Sequence, residues 1–289
     1  MISIGLYVMG EKGLNCVREA VSLNRDGICR IAFVVAARDT TVQRDYFDEI
    51  ALAAHDLPFF ERRDFDSALA DISFAISWRW LIHDGANLFV FHDSLLPKYR
   101  GFNPLVTALI EGDSLVGVTA IRANAEFDRG NIVGAASMTV EYPAKIAQII
   151  TRISVLYQKL LRDVILAAAS NSLTETVQDE AQASYSLWRD ADDYRIDWSL
   201  DEKKIVRMID AVGFPYNGAF TEIEGVKIVV LEAEALPEMP IANRVAGKLI
   251  GIGPKGAQVV CGKGIVRIKK AVLESGEPYT FAKLRCRLK

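Results

Sequence analysis

The sequence predicts an α/β chain of two domains, a parallel sheet clothed by helices and then a small β-barrel. Three observations carry this expectation. The first half alternates short apolar runs with amphipathic helical patterns. After Gly218 the pattern changes to short strands parted by Gly-containing turns. The chain has 289 residues, about twice the size of a common domain. With 51% hydrophobic and 25% charged residues it is a globular protein, and disorder, collagen-like repeats and a disulfide scaffold are excluded.

Residues 2–8 form a continuous apolar run, read as a buried strand, and residues 13–23 set Leu14, Val17 and Val21 on one helical face. A second strand is expected at 31–36 and a second helix at 46–54. Strand–helix–strand order with near-continuous apolar strands argues for a parallel sheet covered on both faces. Further strands are expected at 74–77, 88–91 and 116–121. Pro143 opens a long helix in which Ile146, Ile149, Ile153, Leu156, Leu160 and Val164 recur every three or four residues, ending near Ser170-Asn171-Ser172. Residues 171–190 are polar and irregular and read as a linker. Ser199-Leu200-Asp201-Glu202 has the spacing of a capping box and opens a short helix with Ile205, Met208, Ile209 and Val212. Five short strands then follow at 218–221, 226–232, 247–252, 257–261 and 265–270, the pattern of a small barrel.

The formal net charge of −3 hides an asymmetry. Residues 200–289 hold 15 basic and 10 acidic side chains, and residues 1–199 hold 19 and 27. A basic C-terminal part can contact a polyanion such as RNA, although a solvated face produces the same count. Cys16, Cys29, Cys261 and Cys286 show no CxxC spacing and read as reduced thiols of a cytoplasmic protein. The first residues lack a basic leader, and the apolar run is shorter than a membrane span, so neither a signal peptide nor a membrane helix is expected.

Gly10-Glu11-Lys12-Gly13 joins a strand to a helix but matches neither GxGxxG nor a Walker lysine pattern, and reads as a tight turn without a nucleotide. The informative segment is Phe91-His92-Asp93-Ser94-Leu95-Leu96-Pro97-Lys98-Tyr99-Arg100-Gly101. It follows an apolar strand directly, which sets His92 at the strand's carboxyl end, where open α/β sheets bind ligands. The other two histidines, His55 and His83, lie in polar, loop-like surroundings. A second segment runs from Gly117-Val118-Thr119 through Asn124 to Phe127-Asp128-Arg129-Gly130. Alone, Asp128 reads as a turn residue; beside His92 it would orient the imidazole and stabilise its charged form.

Together these residues resemble the folate-dependent formyltransferases, closest to the sugar N-formyltransferase and methionyl-tRNA formyltransferase branches. The resemblance rests on His92, Ser94-Leu95-Leu96-Pro97, Arg100-Gly101, Gly117-Val118-Thr119 and Phe127-Asp128-Arg129-Gly130. It extends to Ser77-Trp78-Arg79-Trp80-Leu81-Ile82, to Ile196-Asp197-Trp198-Ser199, to Phe214-Pro215-Tyr216-Asn217-Gly218-Ala219-Phe220 and to Val259-Val260-Cys261-Gly262-Lys263-Gly264. It implies a Rossmann-like catalytic domain over residues 1–189 and an OB-like barrel over 195–289. It further implies 10-formyltetrahydrofolate as co-substrate, no metal, and an amine acceptor. His92 and Asp128 are the implied acid/base pair. Trp78, Arg79, Trp80, Leu81 and Phe127 are the implied cofactor contacts, and Ser94, Leu96, Pro97, Arg100 and Gly101 position the loop.

One departure from the family pattern stands out. Two residues before the histidine the family carries an Asn that donates to the formyl oxygen; here the residue is Val90. Loss of one such donor costs about 10²–10³ in rate. Either Asn103, Asn124 or a backbone N–H compensates, or the chain is a folate-binding relative with weak or no transferase activity. For the acceptor, methionyl-tRNA formyltransferases carry a basic loop near the second strand. The equivalent residues 37–50 hold Arg38 and Arg44 against Asp39, Asp45, Asp48 and Glu49, and a negative loop repels phosphates. A nucleotide-linked amino sugar is therefore the favoured acceptor and tRNA the alternative.

Overall fold

The computed structural model describes residues 1–65, 69–82 and 87–289. Contacts divide the chain into two compact units. One comprises Met1–Leu105, Leu115–Thr139 and Gln148–Leu187, and the other Val106–Ser114, Val140–Ala147 and Trp188–Lys289.

The first unit is built on strands β1 (Ile2–Val8), β2 (Cys29–Ala36), β3 (Phe59–Glu61), β4 (Ile72–Ile76) and β5 (Asn87–His92). The two-residue β6 (Arg100–Gly101) lies outside this sheet, which is completed by β7 (Leu115–Arg122) and β8 (Ile132–Thr139). Sheet order is β3-β2-β1-β4-β5-β7-β8. The first five strands are parallel, as their apolar runs predict, but β7 pairs antiparallel to both β5 and β8. The all-parallel sheet expected from the sequence is thus corrected to a mixed one. β7 enters antiparallel to β5 after α3, and it turns back through residues 123–131 into β8 as a hairpin, with no crossover helix between them.

Helix α1 (Gly10–Arg25) buries Leu14, Val17, Ala20 and Leu23, and α2 (Phe47–Ala53) buries Phe47 and Ile50. Between β6 and β7 runs α3 (Pro104–Glu111), buried along most of its length. The long helix opened by the Pro143 segment is α4 (Ile146–Ala169), whose Ile149, Ile153, Leu160 and Val164 are buried, the apolar stripe the spacing predicts.

Residues 171–190, read as a linker, are largely structured within the first unit. Thr176 bridges Ile132, and β9 (Tyr185–Ser186) pairs in parallel with β6. In the second unit, α5 (Glu202–Ala211) starts two positions later than the capping box implies. Its cap is Asp201, whose carboxylate accepts from Lys203 N and Lys204 N at 3.0 and 2.9 Å, while the Ser199 hydroxyl turns back to Asp197.

The C-terminal strands β10 (Ala219–Ile223), β11 (Val226–Leu236), β12 (Leu249–Gly253), β13 (Gly256–Val260) and β14 (Ile265–Leu273) form one antiparallel sheet in the order β10-β11-β14-β13-β12. Among the described residues its outer strands β10 and β12 do not pair, so the expected barrel is present as a sheet without closure. All four cysteines are buried and unpaired, and burial pushes the Cys29 thiol up to about 11. Among the described residues no helix is long and apolar enough to cross a membrane.

Gly117 shows how tightly β7 is packed against β8 and the segment after β5. A Cβ there would lie 2.3 Å from the Ala136 carbonyl oxygen on β8 and 2.5 Å from a Leu95 methyl carbon. Gly117→Ala is expected to lower stability by about 1–3 kcal/mol, checked by urea unfolding; an unchanged midpoint at unchanged slope would show that the sheet gives way freely.

Candidate active site

Parallel register brings the carboxyl ends of the central strands level: Val8 pairs with Ile76, and Ile76 with Phe91. The order reverses between β1 and β4, so the chain leaving β1 at Met9, β4 at Ser77 and β5 at His92 gathers at the switch point where such sheets bind ligands.

His92 is the last residue of β5 and is buried. Its Nε2 lies 2.8 Å from the Tyr99 carbonyl oxygen, and because a carbonyl only accepts, Nε2 carries the proton. On the other side of the ring, Nδ1 lies 3.4 Å from Asp128 Oδ1. The second carboxylate oxygen, Oδ2, accepts from Gly101 N at 2.8 Å. Asp128 adopts a left-handed backbone, φ 57°, that aspartate tolerates better than most residues. Gly130 follows because a Cβ there would sit 1.7 Å from the Arg122 carbonyl oxygen.

The loop after His92 is fastened at every turn. Ser94 Oγ donates to Lys98 O at 2.6 Å. Thr119 Oγ1 donates to Ser94 O at 2.7 Å and accepts from Leu96 N at 3.1 Å, which explains why Gly117-Val118-Thr119 belongs to the motif. The Leu96–Pro97 peptide is cis. Gly101 has φ 101°, and a Cβ would meet the Ser186 carbonyl oxygen at 2.5 Å. The Arg100 guanidinium, 1% exposed, donates to both Glu180 oxygens at 2.7 and 2.8 Å and to Gln178 Oε1 at 2.8 and 3.1 Å.

Two groups of residues escaped the sequence reading. Asp93 accepts from the Tyr157 hydroxyl at 2.6 Å and is paired with buried Lys12; residues 10–13, read as a tight turn, are the first turn of α1, and their lysine is engaged within the protein. Burial first, and the Asp93 charge second, push the Tyr157 phenol well up and keep it a donor. Gln178, Glu180 and Ser184 belong to the stretch read as linker, and Ser184 Oγ accepts from Tyr99 N at 3.0 Å. No local pattern marks these residues, because each acts on a partner some fifty or more positions away.

The five expected cofactor contacts fall into two groups. Trp78 packs against Tyr7 and Phe33 and stands edge-on to Trp80 at 5.1 Å, and its buried indole N–H has no hydrogen-bond partner among the described residues. Arg79 is paired with Asp39 at 2.6 Å and also donates to Thr41. Leu81 and Phe127 are exposed, 68% and 79%. Val90 shares a face with His92, two residues on along β5. Asn103 is exposed, with φ 48°, and its side chain makes no protein hydrogen bond among the described residues, whereas Asn124 Oδ1 accepts from Glu126 N at 2.9 Å. His83 lies outside the described residues. Among them there is no cluster of three or more potential metal ligands.

Two family models match the chain: "Formyl transferase" over residues 80–165, and "Formyl transferase, C-terminal domain" over residues 189–287. The chain belongs to the formyl transferase family. The N-terminal match contains the His92 loop and Asp128. Over 187 residues the chain is 30% identical to a methionyl-tRNA formyltransferase of Streptococcus sanguinis, a match covering 65% of this chain and 58% of that protein. It thus spans less than two thirds of that relative's length. Among solved formyltransferase structures, that of WlaRD, a sugar 3N-formyl transferase with dTDP and 5-N-formyl-THF, aligns with a TM-score of 0.67 at 17% identity, covering 93% of this chain and 98% of that one. An N-formyltransferase from Helicobacter canadensis, in complex with folinic acid and dTDP-3-aminofucose, aligns with a TM-score of 0.66 at 15% identity, covering 93% and 100%.

The Arg100–Glu180 pair makes the site sensitive to acid. Hydrogen bonding to Arg100 holds the Glu180 carboxyl below its usual range. The stability this contributes is present above the ordinary glutamate value, about 4.3, and is lost as pH falls through the lowered one. Glu180→Gln is therefore expected to melt lower than the parent at pH 7, with the gap closing below pH ~4. Melting temperatures across pH 3–7 check this, and a gap of constant size would assign the acid sensitivity elsewhere.

Proposed function

We propose that the chain transfers a formyl group from 10-formyltetrahydrofolate to the amine of a small acceptor, a nucleotide-linked amino sugar. The observation that carries this reading is the His92–Asp128 contact of 3.4 Å at the carboxyl edge of the sheet, inside the segment that matches the family. The switch-point edge supports a seat for the formyl donor there. Trp78 brings a buried N–H with no partner among the described residues, a group a ligand can satisfy, and Leu81 and Phe127 offer exposed apolar surface. The folate supplies the activated formyl carbon. With WlaRD and the H. canadensis enzyme as fold neighbours, residues 1–189 form the catalytic domain, and residues 195–289 an OB-like barrel left open along one seam. Unpaired thiols suit a cytoplasmic enzyme.

The chain's own residues perform three tasks. His92 Nε2–H, held at rest by the Tyr99 carbonyl, turns to the formyl oxygen when negative charge develops there, because a charged acceptor binds an N–H more strongly than a neutral carbonyl. With Nδ1 kept against Asp128, the ring gives its Nε2 proton to the oxyanion and takes the one the amine releases as the new C–N bond forms; it passes that proton to the folate nitrogen as the bond from the formyl carbon to the folate breaks, and recovers its own from the hydroxyl as the carbonyl re-forms. Val90 leaves the second oxyanion donor to another group. Asn103, with an unengaged amide two residues past Gly101, suits that role; the bond that Asn124 Oδ1 accepts from Glu126 N leaves the Asn124 amide nitrogen able to donate as well.

For the acceptor, both arginines of residues 37–50 are spent internally. Arg38 pairs with Asp48 at 2.5 Å and Arg44 with Glu49 at 2.9 Å. In the C-terminal sheet Arg267 and Lys269 share Glu234, and Lys227 pairs with Glu274. Paired cations attract phosphates weakly, which supports a small acceptor over tRNA. The second reading, methionyl-tRNA, is favoured by the curated relatives, which carry that name.

A screen of nucleotide-linked amino sugars with 10-formyltetrahydrofolate, read by release of tetrahydrofolate, tests the activity. Saturable folate binding without turnover on any amine would replace transfer by binding alone. Filter binding of tRNA separates the two acceptors: steep weakening with salt would favour tRNA. His92→Asn and Asp128→Ala are each expected to lower turnover at least about 100-fold at unchanged folate affinity, and full activity in either variant would remove the pair from the mechanism.

A further inference from the structure

Gln178 is buried and lies fifty residues from Asp128 in sequence. Its Nε2 donates to the carbonyls of Asp128 and Gly130, both at 2.8 Å. Its Oε1 accepts from Arg100 Nε at 3.1 Å and from Arg100 Nη2 at 2.8 Å. All four hydrogen-bonding positions of the amide are thereby filled. Its orientation is forced as well, since a flipped amide would set oxygen against two carbonyls and N–H groups against a guanidinium.

These bonds clasp both sides of the catalytic contact. On one side stands the left-handed Asp128 backbone, a conformation that persists only where its surroundings hold it. On the other stands Arg100, whose next residue, Gly101, presents its N–H to the Asp128 carboxylate. We infer that Gln178 is the positioning residue of this site, fixing Asp128 against His92 through the backbone while touching neither the ring nor the substrate. The kinetic part of this inference rests on the formyl-transfer reading; the geometric part does not.

Gln178→Glu tests both parts. The carboxylate still accepts from Arg100 but offers no donor to the two carbonyls. The chain has three histidines, so the imidazole NMR signals are readily assigned. The His92 ring signals are expected to move in the direction produced by Asp128→Asn, with those of His55 unchanged; unmoved His92 signals overturn the inference. In an active enzyme, kcat is expected to fall about 100-fold with KM for the formyl donor unchanged. Adding Gln178→Glu to Asp128→Asn should bring no further loss, because two residues that act as a unit are not additive. Losses that multiply, or an unchanged kcat, overturn it. Should the parent protein transfer no formyl group, that reading fails by itself and the ring signals alone decide on Gln178. Gln178→Asn, which keeps the amide but shortens its reach, carries the same readouts where the Glu variant does not fold.

Discussion

The hydrogen bond from Gly101 N–H to Asp128 Oδ2, 2.8 Å long, joins the two loops that make the candidate site. One loop leaves β5 after His92, and the other is the β7–β8 hairpin. Neither holds its shape by local structure alone. The first passes through two residues of positive φ, Tyr99 and Gly101; the second reaches Asp128 in a left-handed conformation. Each is therefore fixed by the other. With Oδ2 committed to Gly101, the remaining oxygen faces the imidazole, and the carboxylate has one orientation rather than several.

Around this contact the protein satisfies its buried charges in pairs and triads. Arg100 is answered by Gln178 and Glu180, Asp93 by Lys12 and Tyr157, and Glu19 by Arg162 and Gln158. Removing one member of a buried set leaves the others uncompensated, which costs more than the set contributes net. Such groups specify one arrangement of the loops, and with it the contacts of 2.8 and 3.4 Å around the His92 ring.

The parts legible in the sequence were those whose cause is local. The apolar runs of β1, β2 and β5 and the stripe of α4 announce themselves by period, and His92 follows its strand directly. Other elements gave no such signal. β8 is Ala- and Gly-rich and only half-buried, so it lacks the alternation of a strand. α3 is apolar on nearly every side, which erases the helical period. The cap of α5 fell to Asp201 because Ser199 bonds Asp197 instead. Residues 174–187 were opaque for a different reason: their order comes from partners such as Arg100, Asp128 and Ile132, remote in sequence, and a polar composition says nothing about remote partners.

This last segment bears on where the chain can be divided. A protease site or a truncation point chosen from composition would fall just after α4, at the Ser170-Asn171-Ser172 breaker. A fragment ending there keeps every strand of the main sheet and both His92 and Asp128. It loses the strand paired with β6, the hydroxyl that receives Tyr99 N–H, and the amide that spans Arg100 and the hairpin. A fragment that keeps these contacts extends through Ser186, inside the 1–189 boundary that the resemblance implies and well past the first break in the sequence pattern.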